Sequence, residues 1–355
     1  MHIPESQLTN LRAFGYTEVE ARFLYIAATH SGYFTVGQFL SFAKARYGKR
    51  TARFVEKLFA LGHASVQRYR RNGRLYHLDC RQVYAAIGKD YLRRRRKHEL
   101  RYIRTRILAL DFILAHAEEN FFETTEAKRR YLIEGCKIDP QLFSITGGNE
   151  HAITLADGFP LCIAYPAPDY DPLVTFTYID PGDRSIDPYI AHLRRYRPLF
   201  EQLRSLQFFY VATKWGRHQE AGELFSMLVQ GEGLADLIRM FDVQNRWDND
   251  EDRQTVTNAE LIFRNETRKR FQGPFVETLR RLWRRNQLPK DFQPRQELLQ
   301  PDRKILFHSI VVPGQVGIFG ESAKRWGDSC QGQNSAISRE GGVSPTEEVK
   351  SLHEG

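Results

Sequence analysis

Four basic side chains recur at helical spacing between residues 49 and 57, where they could bind an anionic partner. Lys49, Arg50, Arg53 and Lys57 fall on one side of a helix with 3.6 residues per turn. Arginine donates paired hydrogen bonds to phosphate or to a guanine edge, and lysine adds a point charge. The pattern predicts a cationic stripe, and it leaves open whether Arg50 and Arg53 contact bases or phosphates.

A second basic group surrounds the dipeptide Asn72-Gly73. Alternating apolar and polar residues at 64–70 and 75–78 predict two strands, and Asn-Gly favours the tight turn of a β-hairpin because both residues tolerate positive φ. The arginines of this predicted hairpin are Arg68, Arg70, Arg71 and Arg74.

Three helices precede the predicted hairpin. Thr17 and Glu20 form a capping-box pattern that begins the first helix, and Thr35 can cap a second helix that ends near Lys44. A third helix over 49–61 carries the cationic stripe. Its buried side is predicted to contain Phe54, Val55, Leu58 and Leu61.

Three helices followed by a hairpin are typical of a winged helix-turn-helix domain, which we expect over residues 1–90. In such a domain the third helix enters the major groove and the hairpin lies along the backbone or minor groove. The expected partner is double-stranded DNA. The alternative is a winged helix that contacts proteins, with its basic face merely solvated.

A run of five cations follows this domain, and we expect it to contact the DNA backbone. It opens a predicted linker helix within residues 91–120. The cations are Arg93, Arg94, Arg95, Arg96 and Lys97, and the apolar stripe of the helix is Leu100, Ile103, Ile107, Leu110, Leu114 and Ala117. Two interpretations are open: the stripe is the seam of a homodimer, or it packs on the next domain.

The charge of the chain is concentrated in this region. The 355 residues carry a formal charge of +9, but the segment 44–106 has about twenty basic residues against four acidic ones, so the remainder is mildly acidic. The four cysteines are far apart, residues 1–11 are polar, and no apolar run has the length of a membrane span. We therefore expect a cytoplasmic, nucleoid-associated protein without membrane segments, metal ions or cofactors.

Residues 121–235 predict a mixed α/β domain. Strands are expected at 153–155, 161–164, 173–179 and 208–212, with helices at 187–206 and 218–229. This order is similar to the core of restriction-endonuclease-like folds. Such nucleases hold Mg²⁺ with a carboxylate near a hairpin and an acid-x-Lys strand.

The residues of that metal site are incomplete in this sequence. Asp157 is the candidate for the first carboxylate, but the expected acid-x-Lys strand reads VTFTY at 174–178. Asp180 and Asp183 lie in an Asp-Pro-Gly-Asp stretch that we interpret as a turn. We expect an inactive scaffold with no catalytic residues.

The C-terminal third divides into an extension over 236–312 and a disordered tail over 313–355. Residues 242–253 are polar and predict a loop. An amphipathic helix is expected over 275–287. Its basic side, which either contacts nucleic acid or is solvated, contains Arg280, Arg281, Arg284 and Arg285.

Taken together, the elements predict an α+β fold that resembles the replication-relaxation family of winged-helix proteins. The resemblance rests on the N-terminal motif, the linker helix over 98–112, the strand that ends at 178–182 and the helix around 192–196. It implies a DNA-binding accessory of replication or maintenance, or a transcriptional regulator, on a plasmid or other mobile element. The alternatives are a metal-dependent nuclease that docks through the winged helix and a protein-interaction module.

Overall fold

The computed structural model describes residues 1–68, 73–143, 153, 155, 159–164, 173–182, 185–213, 215–288 and 304–311, and it has a mixed α+β fold with two sheets. The helices are α1 (Glu5–Arg12), α2 (Glu18–His30), α3 (Val36–Phe42), α4 (Lys49–Ala60), α5 (Arg81–Ala86), α6 (Leu100–Ala115), α7 (Thr125–Arg130), α8 (Asp187–Gln202), α9 (His218–Phe225), α10 (Leu234–Asp248), α11 (Asn258–Arg270) and α12 (Pro274–Arg284). The strands are β1 (Tyr33–Thr35), β2 (Ser65–Arg68), β3 (Arg74–His77), β4 (Asn120–Phe121), β5 (Leu161–Ala164), β6 (Leu173–Ile179), β7 (Ser205–Ala212) and β8 (Lys304–Val311).

The N-terminal unit contains the predicted three helices and hairpin. Thr17 forms the expected capping box with Glu20, and Thr35 forms another with Gln38 at the start of α3. The short strand β1, which the sequence did not reveal, joins the hairpin in an antiparallel sheet of order β1-β3-β2. The prediction that Leu61 is buried is wrong, because the residue lies just beyond the end of α4 and is 40% exposed.

A cluster of aromatic rings fixes α4 within this unit. The Phe54 ring lies 4.1 Å from that of Phe39 and 6.1 Å from that of Phe23, measured between centroids. Phe54 and Leu58 are fully buried, which leaves the opposite side of α4 for polar residues. Burial of such side chains contributes about 1.5–3 kcal/mol each.

Helix α6 packs between the N-terminal unit and the larger sheet. Ile103 and Ile107 are buried against Tyr33 and Leu75 of the small sheet. Toward its other end, the ring of Phe112 lies 5.2 Å from that of Phe209 on β7. The stripe residues Ile103, Ile107 and Leu110 are therefore buried within the chain, but Ile103 and Ile107 pack on the N-terminal unit and not on the next domain.

The five-stranded sheet has the order β4-β5-β6-β7-β8. Its first two pairings are antiparallel, and β6, β7 and β8 run parallel. Helix α8 covers one face, and the side chains of Cys162, Phe209 and Val211 join the core of the N-terminal unit on the other. Both faces are thus buried, as expected for parallel strands.

Strands β5, β6 and β7 and helices α8 and α9 confirm the predicted elements of this sheet. Strand β5 takes β4 as its outer neighbour. Residues 153 and 155 of the strand predicted at 153–155 belong to no strand, and residue 154 lies outside the described residues. Strand β8 contains the apolar run at 305–307, and the sequence did not predict it as a strand.

The C-terminal extension is more helical than the sequence indicated. The sequence predicts a loop over 242–253, but helix α10 includes residues 242–248. The helix extends into this polar stretch because Leu237 and Phe241 before it are buried on one side. The amphipathic helix α12 is confirmed, with Phe275 and Leu279 buried. The predicted disordered tail lies outside the described residues. None of the helices described is both long enough and apolar enough to cross a membrane.

Candidate nucleic-acid interface

Three of the four predicted stripe residues project from α4 into solvent. Lys49, Arg50 and Arg53 are exposed, and none of them forms an ion pair within the part of the chain that the structure describes. Lys49 and Arg50 occupy the first turn of α4, where the helix dipole already presents positive charge. Two cations at the positive end of the helix dipole destabilise the helix by repulsion, and an anionic partner bound at this end would relieve that repulsion.

Lys57 has a different role from the one predicted. Its Nζ lies 2.5 Å from Oε2 of Glu20, whose side chain is only 5% exposed, and it also donates to the carbonyl of Gly15 at 3.1 Å. Lys57 lies at the edge of the buried side of α4, where it compensates a buried carboxylate on α2. The prediction that it belongs to the exposed stripe is therefore wrong.

The loop before α4 adds basic residues that were not among the predicted contacts. Lys44 and Arg46 are exposed, and the Tyr47 side chain is 76% exposed beside them. Lys44 adopts φ of 48°, a left-handed conformation that turns the chain toward α4. The available signal for this exposed basic loop was the density of lysine and arginine around a single tyrosine at 44–50.

The hairpin places two arginines directly opposite each other. Arg68 on β2 pairs in register with Arg74 on β3, and both are exposed. Like charges at opposed positions of an antiparallel pair destabilise it. The other two predicted hairpin residues, Arg70 and Arg71, lie outside the described residues.

An aromatic contact joins the hairpin to α4. The ring of Phe59 on α4 lies 6.0 Å from the ring of Tyr76 on β3. Tyr76 in turn stacks on Phe34 at 5.2 Å within the core of the unit. The helix and the described part of the hairpin therefore share one rigid support.

The run at 93–96 is divided between surface and interior. Arg93, Arg95 and Arg96 are exposed, as expected, but Arg94 is only 6% exposed. The run forms a single 3-10 turn and α6 begins later, at Leu100, so the prediction that it opens the helix is wrong. The turn is held inward because His77 Nε2 lies 3.0 Å from the Arg94 carbonyl oxygen.

Close packing against Gly32 also holds this turn. A side chain at Gly32 would place its Cβ 2.7 Å from the Arg94 carbonyl oxygen, and Gly32 has φ of 79°. Only glycine fits this close approach without strain. Arg94 thus belongs to the interior and cannot be one of the exposed backbone contacts that were predicted.

The carboxylates of the α/β unit do not assemble a metal site among the described residues. Asp180 accepts from the backbone N–H of Gly182 at 2.8 Å and from the Tyr210 hydroxyl at 2.5 Å, which is the geometry of the predicted turn. Burial, followed by the charge of Asp180, raises the pKa of Tyr210 well above its usual range. Asp157 and Asp183 lie outside the described residues, and no group of three potential ligands occurs in the described part of the chain.

The basic side of α12 is partly engaged by acidic neighbours. Arg280 forms ion pairs with Asp248 at 3.5 Å and with Glu277 at 3.9 Å, and Arg281 lies 3.5 Å from Asp187. This side of α12 therefore offers fewer free cations than α4.

No protein-family model matches the chain, and neither a curated protein nor a solved structure matches it.

Proposed function

We propose that residues 1–90 form a winged helix that binds double-stranded DNA and that the chain serves replication, maintenance or transcriptional control of a plasmid or other mobile element. In this proposal α4 enters the major groove and the hairpin of β2 and β3 lies along the backbone. The restriction-endonuclease-like core and the replication-relaxation family remain part of the same proposal.

The observation that carries the proposal is the group of exposed cations on α4, on the loop before it and on the hairpin. It contains Lys44, Arg46, Lys49, Arg50, Arg53, Arg68 and Arg74, and we call it the basic face. None of these seven side chains forms an ion pair with a described residue. Phosphates would neutralise the charges that now repel one another.

Two pairs of arginines, one on α4 and one on the hairpin, favour an extended polyanion as the partner. Arg50 and Arg53 are separated by one helical turn, so they reach successive positions along a groove. Arg68 and Arg74 extend from a different element and reach the backbone beside it. Release of counterions from several phosphates makes such binding strongly dependent on salt.

The test is binding of fluorescent duplexes, first from a random-sequence pool and then from the sequences enriched from it. We expect R50Q/R53Q to weaken binding about a hundredfold, since each arginine contact to a base edge contributes about 1–3 kcal/mol. The matched control is R268Q/K269Q, which removes two exposed charges from α11. Equal losses in the two variants, or no binding by the wild-type protein, would reject the proposal.

The same assay separates the alternatives when it is run with Mg²⁺ and then with EDTA. Retarded but intact duplex in both conditions supports the proposed binding protein. Cleavage that requires the metal would instead indicate a nuclease. A protein-interaction module predicts no salt-sensitive retention of DNA.

A further inference from the structure

A small cavity lies where the N-terminal unit, α6 and the α/β unit meet. Its lining includes Arg94 from the 3-10 turn, Arg106 from α6 and Lys128 from α7. The free volume is about 10 Å³, which is the space for one water-sized atom. The cavity therefore accommodates a single oxygen or a small ion.

The cations around this cavity are buried to an unusual degree. Arg94, Arg106 and Lys128 are 6%, 5% and 2% exposed, and Lys89 nearby is 6% exposed. Charged side chains of these types are seldom this buried without compensation. We call Arg94, Arg106, Lys128 and Lys89 the buried cluster.

The carboxylate that lines the cavity is already engaged. Glu123 accepts from Lys89 Nζ at 2.5 Å through Oε2 and from the Tyr25 hydroxyl at 2.6 Å through Oε1. Lys128 Nζ donates to the Phe159 carbonyl at 2.8 Å, and Arg106 donates to the His30 carbonyl at 3.3 Å. Among the described residues, Glu123 is the carboxylate that both lines the cavity and contacts the buried cluster.

His30 supplies a polar group that faces the same cavity. It is 6% exposed, lines the cavity, and its Nε2 atom has no hydrogen-bond partner among the described residues. Burial, and then the charges of Arg94 and Lys89, lower the pKa of His30 well below its usual value. The neutral ring can donate a hydrogen bond from Nε2 to an anion.

The cavity adjoins an outer cleft of about 360 Å³ that opens to solvent. The two share Arg94, Arg106 and Glu123 as lining residues. Arg93, Tyr91 and Tyr102 line the outer part, together with the carboxylate of Glu126. This volume falls in the range of sites for small ligands.

We infer that the outer cleft and the cavity beneath it bind a phosphorylated small molecule of about nucleotide size. One oxygen of the phosphate enters the cavity between Arg94, Arg106 and His30 Nε2. Charge-assisted hydrogen bonds from arginine favour phosphate over neutral groups. The remainder of the ligand occupies the cleft beside Tyr91 and Tyr102, and Glu126 limits the number of negative charges that fit there.

The site differs in position from the basic face and does not depend on the proposed DNA binding. Its residues come from α2, α6 and α7 and from the turn at 93–95, which holds the N-terminal unit against the α/β unit. A ligand there would lock the three parts together. Binding of that ligand is therefore a second, separable property of the chain.

The test begins with the wild-type protein, inorganic phosphate and a nucleoside 5′-monophosphate, with the parent nucleoside as control. At constant ionic strength in chloride, we expect both phosphate-containing probes to raise the melting temperature, and the nucleoside to leave it unchanged. Calorimetry should show one saturable site for the monophosphate. No shift beyond chloride, or an equal shift with the nucleoside, would overturn the inference.

Hydrogen–deuterium exchange then locates the phosphate without any substitution. Protection is expected in peptides that contain 89–96 and 122–128, while peptides covering 44–57 stay unchanged. Protection of 44–57 instead would mean that phosphate binds only to the basic face, which overturns the inference but leaves the proposed DNA binding intact.

Substitution provides the final comparison. R106Q and R94Q should each weaken binding of the monophosphate at least about tenfold, whereas R95Q removes an exposed neighbouring charge and should have no effect. Circular dichroism checks that each variant is folded, and a variant that does not fold leaves the decision to the exchange experiment. Equal affinities in R106Q, R94Q and R95Q would overturn the inference.

Discussion

The basic face and the buried cluster use the same residue types in opposite surroundings. On the basic face, Arg50 and Arg53 stand in solvent and their charges are screened by water and salt. In the buried cluster, Arg94 and Arg106 are almost fully buried, and Arg106 donates a hydrogen bond to the His30 carbonyl. The contrast shows that arginine content alone does not identify a surface for nucleic acid.

The difference also predicts opposite responses to substitution. An exposed cation contributes little to the free energy of unfolding but much to the binding of an anion. A buried cation that compensates a carboxylate contributes to folding, because its loss leaves the other charge desolvated. Stability and DNA affinity should therefore separate the two regions.

The largest expected effect is on stability in the buried cluster. Replacing Lys89 with Met removes the ion pair that it forms with Glu123 and should reduce the free energy of unfolding by about 3–5 kcal/mol. Replacing Arg53 with Met on the basic face should change it by less than about 0.5 kcal/mol. Urea unfolding measures both, and equal effects would contradict the distinction between the two regions.

A comparable effect that depends on pH is expected at Asp111, where α6 packs on α3. Burial raises the pKa of Asp111 to about 7, although a hydrogen bond from Gln38 acts in the other direction. Between about pH 4 and pH 7, the folded chain keeps a proton that the unfolded chain releases. The contribution of this group therefore makes the protein less stable as the pH rises through that window, and it is constant above it.

Asp111→Asn should remove this dependence. At pH 8 the variant should exceed the wild-type protein by about 4 kcal/mol in the free energy of unfolding, since the pKa is raised by about three units and each unit corresponds to about 1.4 kcal/mol. At pH 4 the difference should be small. Urea midpoints measured at both pH values provide the check, and a difference that does not vary with pH would contradict the raised pKa.

Lys57 tests the boundary between the two kinds of cation. Lys57→Met leaves the buried carboxylate of Glu20 without its ion pair and should cost about 1–2 kcal/mol of stability. Lys49→Met should leave stability nearly unchanged and weaken DNA binding more than Lys57→Met does. If Lys57→Met instead weakened DNA binding more than Lys49→Met, Lys57 would have to be counted among the DNA-binding residues of the exposed stripe.

The sequence predicted the parts of this arrangement that depend on local signals. The capping box at Thr17 and the apolar period of α4 are local, so the helices and the exposure of Arg50 and Arg53 followed from them. The hairpin strands followed from the alternation around Asn72-Gly73. Residues adjacent in sequence determine each of these features.

The sequence could not predict features set by distant partners. Lys57 follows the exposed Arg53 by about one helical turn, and its ion pair with Glu20, which is 37 residues earlier in the chain, sets it apart from the exposed cations. Arg94 stands within a uniform run, and its burial depends on the close approach of Gly32. Strand β8 pairs with β7 across about a hundred residues, so no local pattern indicated its neighbour.

The smallest expected effect concerns the arginine pair of the hairpin. There the free energy of unfolding and the affinity for DNA should change in opposite directions. Arg74→Glu replaces a repulsive cross-strand pair with an attractive one to Arg68, so the free energy of unfolding should rise by about 0.5 kcal/mol. The same change removes one cation and adds an anion beside the DNA backbone, so affinity should fall and the salt dependence should become weaker. Thermal melting and duplex binding at two salt concentrations measure the two effects. The control is Arg268→Glu, which changes an exposed charge on α11, away from the predicted DNA contacts, and should reproduce neither result. A gain in stability without a loss of affinity would show that the hairpin does not contact DNA, and it would restrict the binding surface to α4 and the loop before it.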